Sequence, residues 1–415
     1  MRRSRAAELA AAAVAAVLLA SSASAEAKPR AAAGELLAPA ENAMRVVVGT
    51  LGTPRPLDAQ GWSAELAVER TLAGSAATGA ALRVAWEELA PSRAVRFAPG
   101  ERVLVALDPL PDGSLWSARF PRRDALAVAG RGEAFARAPD AASADALQRY
   151  LALPRPQRGA QAGVDALANL ARRASESLAL EALARLGTLP ALAQNLSADA
   201  RGSLAALIAD PRRPGALRAA ALTLAGRRKL SALAPEARAL ASVGGALAPA
   251  AVEALGAMSA LSPAEAQRYA ASRDPALRAA ALRGAPGALD ATRLEALARS
   301  DAAGEVRAAA LAALARREGA GAANAAVDAL FDADAEVQSA ALRALPAFPS
   351  ESAQLLRARA FGPRANDTEA LKPALAGLSV LGRDGAAVLN EIERDHPNAE
   401  IRRLAQFLLG RTPAH

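Results

Sequence analysis

The chain contains few residues of the types that catalysis and metal binding require. It has two histidines and no cysteine. His396 precedes a proline in a predicted turn, His415 is the last residue, and neither has a second histidine nearby for a metal site. We expect both to be structural or incidental, because acid–base catalysis requires a partnered, enclosed imidazole. The lack of cysteine excludes disulfides, thiolate metal ligands and cysteine nucleophiles.

The serines and carboxylates form no catalytic or calcium-binding pattern. Ser203 lacks the G-x-S-x-G surroundings of a nucleophile elbow, and we interpret it as a helix-entry serine. Asp332 and Asp334 precede a predicted helix and stop short of an EF-hand ligand series, which favours helix capping. Glu87 and Glu88 could bind a cation, although a solvated turn is the preferred interpretation. The sequence therefore predicts no catalytic residue, no cofactor site and no metal site.

Four arginines occupy one position in a segment that recurs along the chain. They are Arg218, Arg278, Arg307 and Arg402. One interpretation is a ladder that grips an acidic partner. The other is that each arginine pairs with an acid in a turn, such as Asp301 or Asp395, and contributes about 0–1 kcal/mol if the pair is exposed. We favour the second, structural interpretation.

The recurring segment begins with a branched or long apolar residue, here called the leading residue. The eight leading residues are Leu178, Leu217, Leu247, Leu277, Val306, Val337, Leu371 and Ile401. They are 29 to 39 residues apart, and the residue four positions later is alanine in seven of the eight copies. A period of 20–50 residues is typical of a solenoid, in which small buried residues let helices approach closely.

A second amphipathic run precedes each copy, which indicates two helices per repeat. Examples are Asp290–Ser300 and Ala322–Phe331, where apolar residues fall at helical spacing. The run Ser262–Glu265 has the composition of a capping box with proline at the first helical position. A lone helix pair cannot cover its apolar face, so we expect stacked hairpins with a shared core. Aromatic residues are only 3% of the chain, so we expect the cores of the whole protein to be aliphatic, built from leucine, alanine and valine.

The repeat resembles the short HEAT repeats of phycobiliprotein lyases and many bacterial proteins. The resemblance is carried by Asp301, Glu305–Arg307, Ala310 and Leu314, and by the equivalent residues after Asp332 and Asp395. It implies an all-α superhelical solenoid of about eight hairpins over residues 164–411. HEAT-like proteins include scaffolds, adaptors and a few lyases, so the resemblance implies a fold more specifically than a function.

The second and sixth positions after each leading residue are expected to face a groove. The candidate partner-binding residues are Thr223, Glu253, Arg283, Arg343, Arg403 and Phe407. Most other residues at these positions are small, and tryptophan and tyrosine anchors are missing. Because such anchors dominate tight interfaces, we expect weak or extended contacts with a protein partner.

The N-terminus has the pattern of a secretory signal at residues 1–25. Three arginines at positions 2, 3 and 5 precede the apolar run Leu9–Ala20, which is too short to span a bilayer comfortably. Cleavage is expected after Ala25 or Ala27, and an uncleaved anchor is the alternative. We expect export to the periplasm or exterior of a bacterium, with no membrane span after cleavage. Residues 26–43 are rich in alanine and proline, which predicts a disordered tether.

Residues 44–153 have a β-rich pattern. Predicted strands are Arg45–Thr50, Trp62–Leu72, Leu82–Leu89, Arg102–Leu107, Leu115–Phe120 and Ala125–Ala129, followed by a helix over Ser143–Leu153. Short, evenly spaced strands predict a small sandwich or barrel. The runs Val48–Thr50, Leu66–Gly74 and Gly100–Leu107 resemble an exported OB-like or netrin-like module. Residues 154–163 are the expected linker to the solenoid.

The basic charge is not interpreted as a nucleic-acid signal. The net charge is +8, and removing residues 1–25 leaves 47 basic and 41 acidic residues, or +6. The arginines are spread among acids, and aromatic side chains for base stacking are scarce. Overall, we predict an α+β multidomain protein that acts as a non-catalytic interaction scaffold of the cell envelope. The alternatives are a lyase-like enzyme with a solenoid pocket and nucleic-acid binding through an arginine-lined groove.

Overall fold

The computed structural model describes residues 35–410, apart from 58–60, 88–96, 113–115, 117–118, 133, 195 and 318–319. The expected signal segment and the first part of the expected tether lie outside the described residues, as do Glu88 and His415. The described chain forms two compact units, divided between Leu247 and Ala248. We call residues 35–247 the N-terminal unit and residues 248–410 the C-terminal unit.

The N-terminal unit contains a closed five-stranded β-barrel. The described strands are β1 (Arg45–Leu51), β2 (Arg55–Pro56), β3 (Gly61–Ala73), β4 (Ala81–Glu87), β5 (Arg102–Pro109), β6 (Leu126–Val128) and β7 (Phe135–Arg137). The barrel order is β1–β3–β4–β6–β5, and β5 closes the ring by pairing with β1. All pairs are antiparallel except β4–β6. The predicted small β module is therefore a barrel, and closure pairs the edges of these five strands with one another.

Strand β3 shows why this sequence forms a barrel wall. Leu66 and Val68 are buried inside, whereas Glu65 and Glu69 are exposed, so side chains alternate between core and solvent. This confirms the alternation predicted for Trp62–Leu72.

The barrel core is more aromatic than the composition predicts. Phe97 contacts Trp86 and Phe135 edge-to-face, with ring centroids 4.9 and 4.8 Å apart. The chain's few aromatic residues thus include three in one barrel interior. The expectation of an aliphatic core is therefore wrong for the barrel. Each aromatic ring buries a large apolar area, so a few rings fill the interior of a small barrel.

The expected strand at Leu115–Phe120 is wrong. Trp116 and Arg119 are helical, and Trp116 stacks on Phe120 with ring centroids 6.3 Å apart. Residues four apart share one face of a helix but would not be neighbours along a strand. Both rings are buried in a second apolar cluster with Ala85 and Leu110.

The expected disordered tether is also wrong from residue 35 onward. A short helix, α1 (Leu37–Ala40), leads into β1. Leu36 and Leu37 are only 1% and 2% exposed. The free energy gained by burying these two leucines offsets the entropy lost when the segment becomes ordered. The high content of alanine and proline gives no indication of this burial.

The N-terminal unit continues with eight helices. They are α2 (Ala141–Leu151), α3 (Arg155–Arg158), α4 (Gln161–Arg173), α5 (Glu176–Thr188), α6 (Ala191–Gln194), α7 (Ala198–Ala209), α8 (Gly215–Arg227) and α9 (Ala234–Val243). Helix α2 is the predicted amphipathic helix, with Leu147, Tyr150 and Leu151 buried. Helix α3 lies inside the expected linker. Helices α4 and α5 form one hairpin, and α7 and α8 form the next.

The C-terminal unit is all-α. Its helices are α10 (Ala248–Ala257), α11 (Pro263–Ala270), α12 (Pro275–Gly284), α13 (Ala291–Ser300), α14 (Gly304–Leu314), α15 (Ala320–Ala329), α16 (Ala335–Ala344), α17 (Pro349–Ala360), α18 (Thr368–Ser379), α19 (Gly382–Asp395) and α20 (Ala399–Leu409). From α11 onward they pair as successive hairpins, while α10, α12, α14 and α16 also pack side by side. The predicted capping box at Ser262 and Glu265 starts α11. None of the described helices is both long and apolar enough to cross a bilayer.

The leading residues and the positions four residues later form the core of the repeats. Leu178, Leu217, Val306, Val337, Leu371 and Ile401 are buried. Leu247 and Leu277 are half-buried. All eight positions four residues later are buried, namely Ala182, Ala221, Ala251, Ala281, Ala310, Ala341, Leu375 and Ala405. The predicted spacing therefore corresponds to one buried helix face, and the chain is a solenoid-like series of hairpins after a β-barrel.

Candidate functional site

A ladder of charged and amide side chains connects three successive turns of the C-terminal unit. Arg278 donates from Nε and Nη2 to the two carboxylate oxygens of Asp301, at 3.0 and 2.7 Å. Arg307 makes the same bidentate contact with Asp332, at 2.8 and 2.7 Å. Each arginine lies in the first turn of the second helix of a hairpin, and each aspartate lies in the turn before the second helix of the following hairpin. Guanidinium–carboxylate forks of this kind are strong and fix orientation.

The same side chains also bind backbone carbonyls of the turn before their own helix. Nη1 of Arg307 donates to the Asp301 carbonyl at 2.8 Å, and Nε2 of Gln338 donates to the Asp332 carbonyl at 2.7 Å. Nη1 of Arg278 donates to the Ser272 carbonyl at 3.0 Å. We call Arg278, Asp301, Arg307, Asp332 and Gln338 the turn ladder. The turn ladder links adjacent hairpins along one edge through hydrogen bonds and ion pairs.

Electrostatics within the turn ladder favour the charged forms. The hydrogen bonds from Arg307 lower the pKa of Asp332 below its ordinary value of 3.8. Burial raises the pKa of Asp301, but the bonds from Arg278 and from the Ala303 N–H outweigh it, and the net pKa is lowered. The same bonds raise the pKa of both arginines. These two arginines therefore pair with turn acids, which is the arrangement that the structural interpretation expects.

The other two arginines of the predicted series bind carbonyls instead. Nε of Arg218 donates to the Ile208 carbonyl at 2.8 Å. Nη1 of Arg402 donates to the His396 carbonyl at 2.5 Å. The expected partner Asp395 is wrong, because that carboxylate is bound by the adjacent Arg394 at 2.7 Å. An arginine next in sequence reaches the carboxylate without spanning a turn.

His396 replaces the aspartate of the turn ladder in the last hairpin. It is 1% exposed, and its Nδ1 accepts from the Asn398 N–H at 3.2 Å. Because Nδ1 accepts, Nε2 carries the proton and donates to the Ala360 carbonyl at 3.0 Å. The imidazole thus joins the end of α17 to the turn before α20.

The remaining candidate residues serve local structure. Asp334 caps α16 by accepting from the Glu336 N–H at 2.8 Å, as predicted. Ser203 is not a helix-entry serine, because it lies in the middle of α7. That helix is capped by Ser197, which accepts from the Ala200 N–H at 3.0 Å. Glu87 lies 3.4 Å from the guanidinium of Arg119.

The predicted groove residues lie on second helices of hairpins, except Glu253, which lies in α10. Thr223, Arg283, Arg343, Arg403 and Phe407 are exposed, and Glu253 is half-buried. Arg283 and Glu253 pair across adjacent helices at 2.5 Å. Thr223 donates to the Ala219 carbonyl of its own helix at 2.9 Å. Within each unit, these positions are exposed or half-buried on helices whose leading residues are buried or half-buried.

A cleft of about 430 Å³ lies between α15, α17 and the turn after α17. Its walls include Val327, Leu355 and Pro363. The one carboxylate among its described lining residues, Asp328, is bound by Arg359 at 2.5 Å. The cleft therefore presents an apolar floor beside a neutralised ion pair.

Sequence reasoning missed a polar cluster that holds the segment before β1. Glu41 accepts from the Tyr150 hydroxyl and from Nε of Arg185, the latter at 3.0 Å. Burial, reinforced by Glu41, raises the pKa of Tyr150 to about 12. Glu181 accepts from the Leu37 N–H at 2.5 Å, and burial raises its pKa. These partners are up to 144 residues apart, and no local pattern connects them.

Comparisons with known proteins give little support for an assignment. No protein-family model matches the sequence, and no curated protein matches it. Among solved structures, the chain is similar to an engineered protein from the Northeast Structural Genomics Consortium. The match has 19% identity, covers 60% of this chain and 95% of that chain, and has a TM-score of 0.19. At that score the likeness supports no argument about fold or function.

Proposed function

We propose that this protein is a non-catalytic interaction scaffold of the bacterial cell envelope, built on HEAT-like repeats and exported by its N-terminal segment. One observation carries the proposal: successive hairpins share a buried apolar face and leave a second face exposed. The turn ladder, with its bidentate pairs, holds the neighbouring hairpins in register. A rigid frame of this kind lowers the entropy lost when a partner binds.

The exposed positions of α16 and α20 are the part of this face with binding character. They include Arg343, Arg403 and Phe407, which is 38% exposed. Arginine and aromatic residues are enriched at interface hot spots, whereas the surrounding alanines only exclude water. We infer that a protein partner contacts these three residues and makes weaker contacts along the neighbouring helices.

The test is chemical crosslinking and affinity capture with the full mature chain in an envelope extract. The variant R343E/R403E/F407A should lose the captured partner, because it removes the proposed anchors. The control R149E/R155E reverses two exposed arginines on α2 and α3 and should keep the partner. Equal capture by both variants, or no saturable partner with the parent protein, would contradict the proposal.

A further inference from the structure

The turn position that carries aspartate in the turn ladder has the opposite charge in the N-terminal unit. Five residues before the leading residue, the C-terminal unit has Asp301 and Asp332, each neutralising an arginine. At the same position the first two copies have Arg173 and Arg212. The equivalent edge of the first two copies, both in the N-terminal unit, is therefore basic.

Two pairs of arginines, 40 positions apart in the sequence, lie in the two turns that form this edge. We call Arg172, Arg173, Arg212 and Arg213 the arginine edge. Nη2 of Arg213 donates to the Ala174 carbonyl at 2.7 Å and to the Ala171 carbonyl at 3.4 Å. These bonds place the turn before α8 against the end of α4, where the first two arginines lie.

The guanidinium groups of the arginine edge are not paired with carboxylates within the described part of the chain. None of its four arginines forms an ion pair there, and all but Arg213 are exposed. The nearby Asp210 instead accepts from the Arg212 N–H at 2.9 Å, which closes the turn. The α4 dipole favours cations in its last turn but does not extend to Arg212 in the next turn.

We propose that the arginine edge docks an extended acidic segment of a partner protein. Guanidinium groups bind carboxylates in bidentate geometry, and four of them along two turns match a run of aspartates or glutamates. The large exposed apolar residues of the described chain are Met44, Val243, Phe331 and Phe407, so none lies on this edge for membrane insertion. No aromatic side chain on the edge offers a platform for nucleic-acid bases. The inference rests on the proposed function only in taking a protein as the partner.

The experiment measures fluorescence anisotropy of a labelled hexaglutamate peptide with the full mature chain at low salt. The test variant is R172Q/R173Q/R212Q, which leaves Arg213 in place because it holds two helix ends together. Each lost arginine should weaken binding about threefold, the middle of the range for exposed ion pairs, and the triple change about thirtyfold. Circular dichroism and thermal melts confirm that the variant is folded.

The matched control is R293Q/R316Q/R383Q, which removes three exposed arginines of the C-terminal unit. It has the same net charge as the test variant and should bind within about twofold of the parent. Equal weakening by both variants would show that overall charge, not this edge, attracts the peptide, and the inference would fall. It would also fall if the parent does not bind the peptide.

Two further probes identify competing partners. Vesicles containing anionic lipid and a single-stranded oligonucleotide are titrated with the parent and both variants. Tighter binding of either probe than of the peptide, with the same dependence on the arginine edge, would overturn the protein assignment. If the peptide fails but capture through Arg343, Arg403 and Phe407 succeeds, this inference alone is wrong. If the capture fails but edge-dependent peptide binding holds, the proposed function alone is wrong.

Discussion

Two helices of the C-terminal unit approach each other closely at a pair of glycines, Gly256 in α10 and Gly284 in α12. A Cβ atom on residue 256 would lie 2.2 Å from the Cα and carbonyl oxygen of Gly284. Ordinary contact starts at 3.4 Å, so the atoms would overlap by 3.4 − 2.2 = 1.2 Å. Backbone atoms of a packed helix cannot rotate away as a flexible side chain can. The substitution Gly256→Ala must therefore push the two helices apart.

The expected net cost is about 1–2 kcal/mol of stability in the C-terminal unit. Overpacking of a tight interface costs about 1–3 kcal/mol. Replacing glycine by alanine within a helix returns about 1 kcal/mol of helix propensity. Because the overlap is with backbone, we place the packing cost at the upper end of its range, and the loss of stability outweighs the gain.

Gly202 in α7 provides a matched control. It is exposed in the middle of a helix, and a Cβ there would meet nothing within 4 Å. Gly202→Ala should therefore stabilise its helix by about 0.5–1 kcal/mol through propensity alone. The same chemical change is thus expected to have opposite signs at two helical sites.

Hydrogen exchange measured by mass spectrometry can resolve both effects by peptide. Gly256→Ala should speed exchange about five- to thirtyfold in peptides covering α10 and α12, the ratio that corresponds to 1–2 kcal/mol. Gly202→Ala should slow exchange in α7. If Gly256→Ala slows exchange as the control does, the close crossing of these helices is not present and the packing argument is refuted.

Three further results are expected. Replacing Asp332 by asparagine should lower the free energy of unfolding, measured with urea, by about 2 kcal/mol, because half-buried, charge-assisted hydrogen bonds from Arg307 are lost. An unchanged urea midpoint would contradict a stabilising role of the turn ladder. In the same variant, the free energy of unfolding should fall less steeply as the pH is lowered. The lowered pKa of Asp332 means that the parent's pair stabilises the fold above about pH 4, and this stabilisation is lost as the pH falls through that pKa. In Y269F, which leaves one tyrosine, absorbance at 295 nm should report ionisation of Tyr150 near pH 12, and a midpoint near 10 would show that burial beside Glu41 does not hold.

Helix pairs and their buried faces were predictable because they depend on local periodicity. The leading residues and the alanines four positions later mark one face of each second helix, since 3.6 residues per turn bring those positions together. Ser262 and Glu265 were recognisable as a cap for the same reason. The segment from Trp116 to Phe120 was misassigned because its short apolar pattern fits both a strand and a single helical turn.

Most of the candidate surface was not predictable, because long-range pairing decides it. The sequence indicated arginines beside turn acids, but only the fold shows that Arg307 reaches Asp332 in the next turn while Arg402 binds a carbonyl. The repeat places Arg173 and Arg212 at equivalent positions, but only the fold shows that Arg213 joins the two turns that carry them. Charge that is evenly spread along a sequence becomes concentrated when the repeat brings successive turns together.

The sequence alone determined the repeating helices, their apolar faces and the β-rich module. It also showed that the chain lacks cysteine and has only two histidines for chemistry. Tertiary structure decided the closed barrel, the ordering of residues 35–43, the contact between Gly256 and Gly284, and the grouping of charges into a turn ladder and an arginine edge. The division has a physical cause. Periodicity is encoded within one or two turns of chain. These long-range contacts join residues that are 14 to 144 positions apart, and they form only when the apolar faces pack.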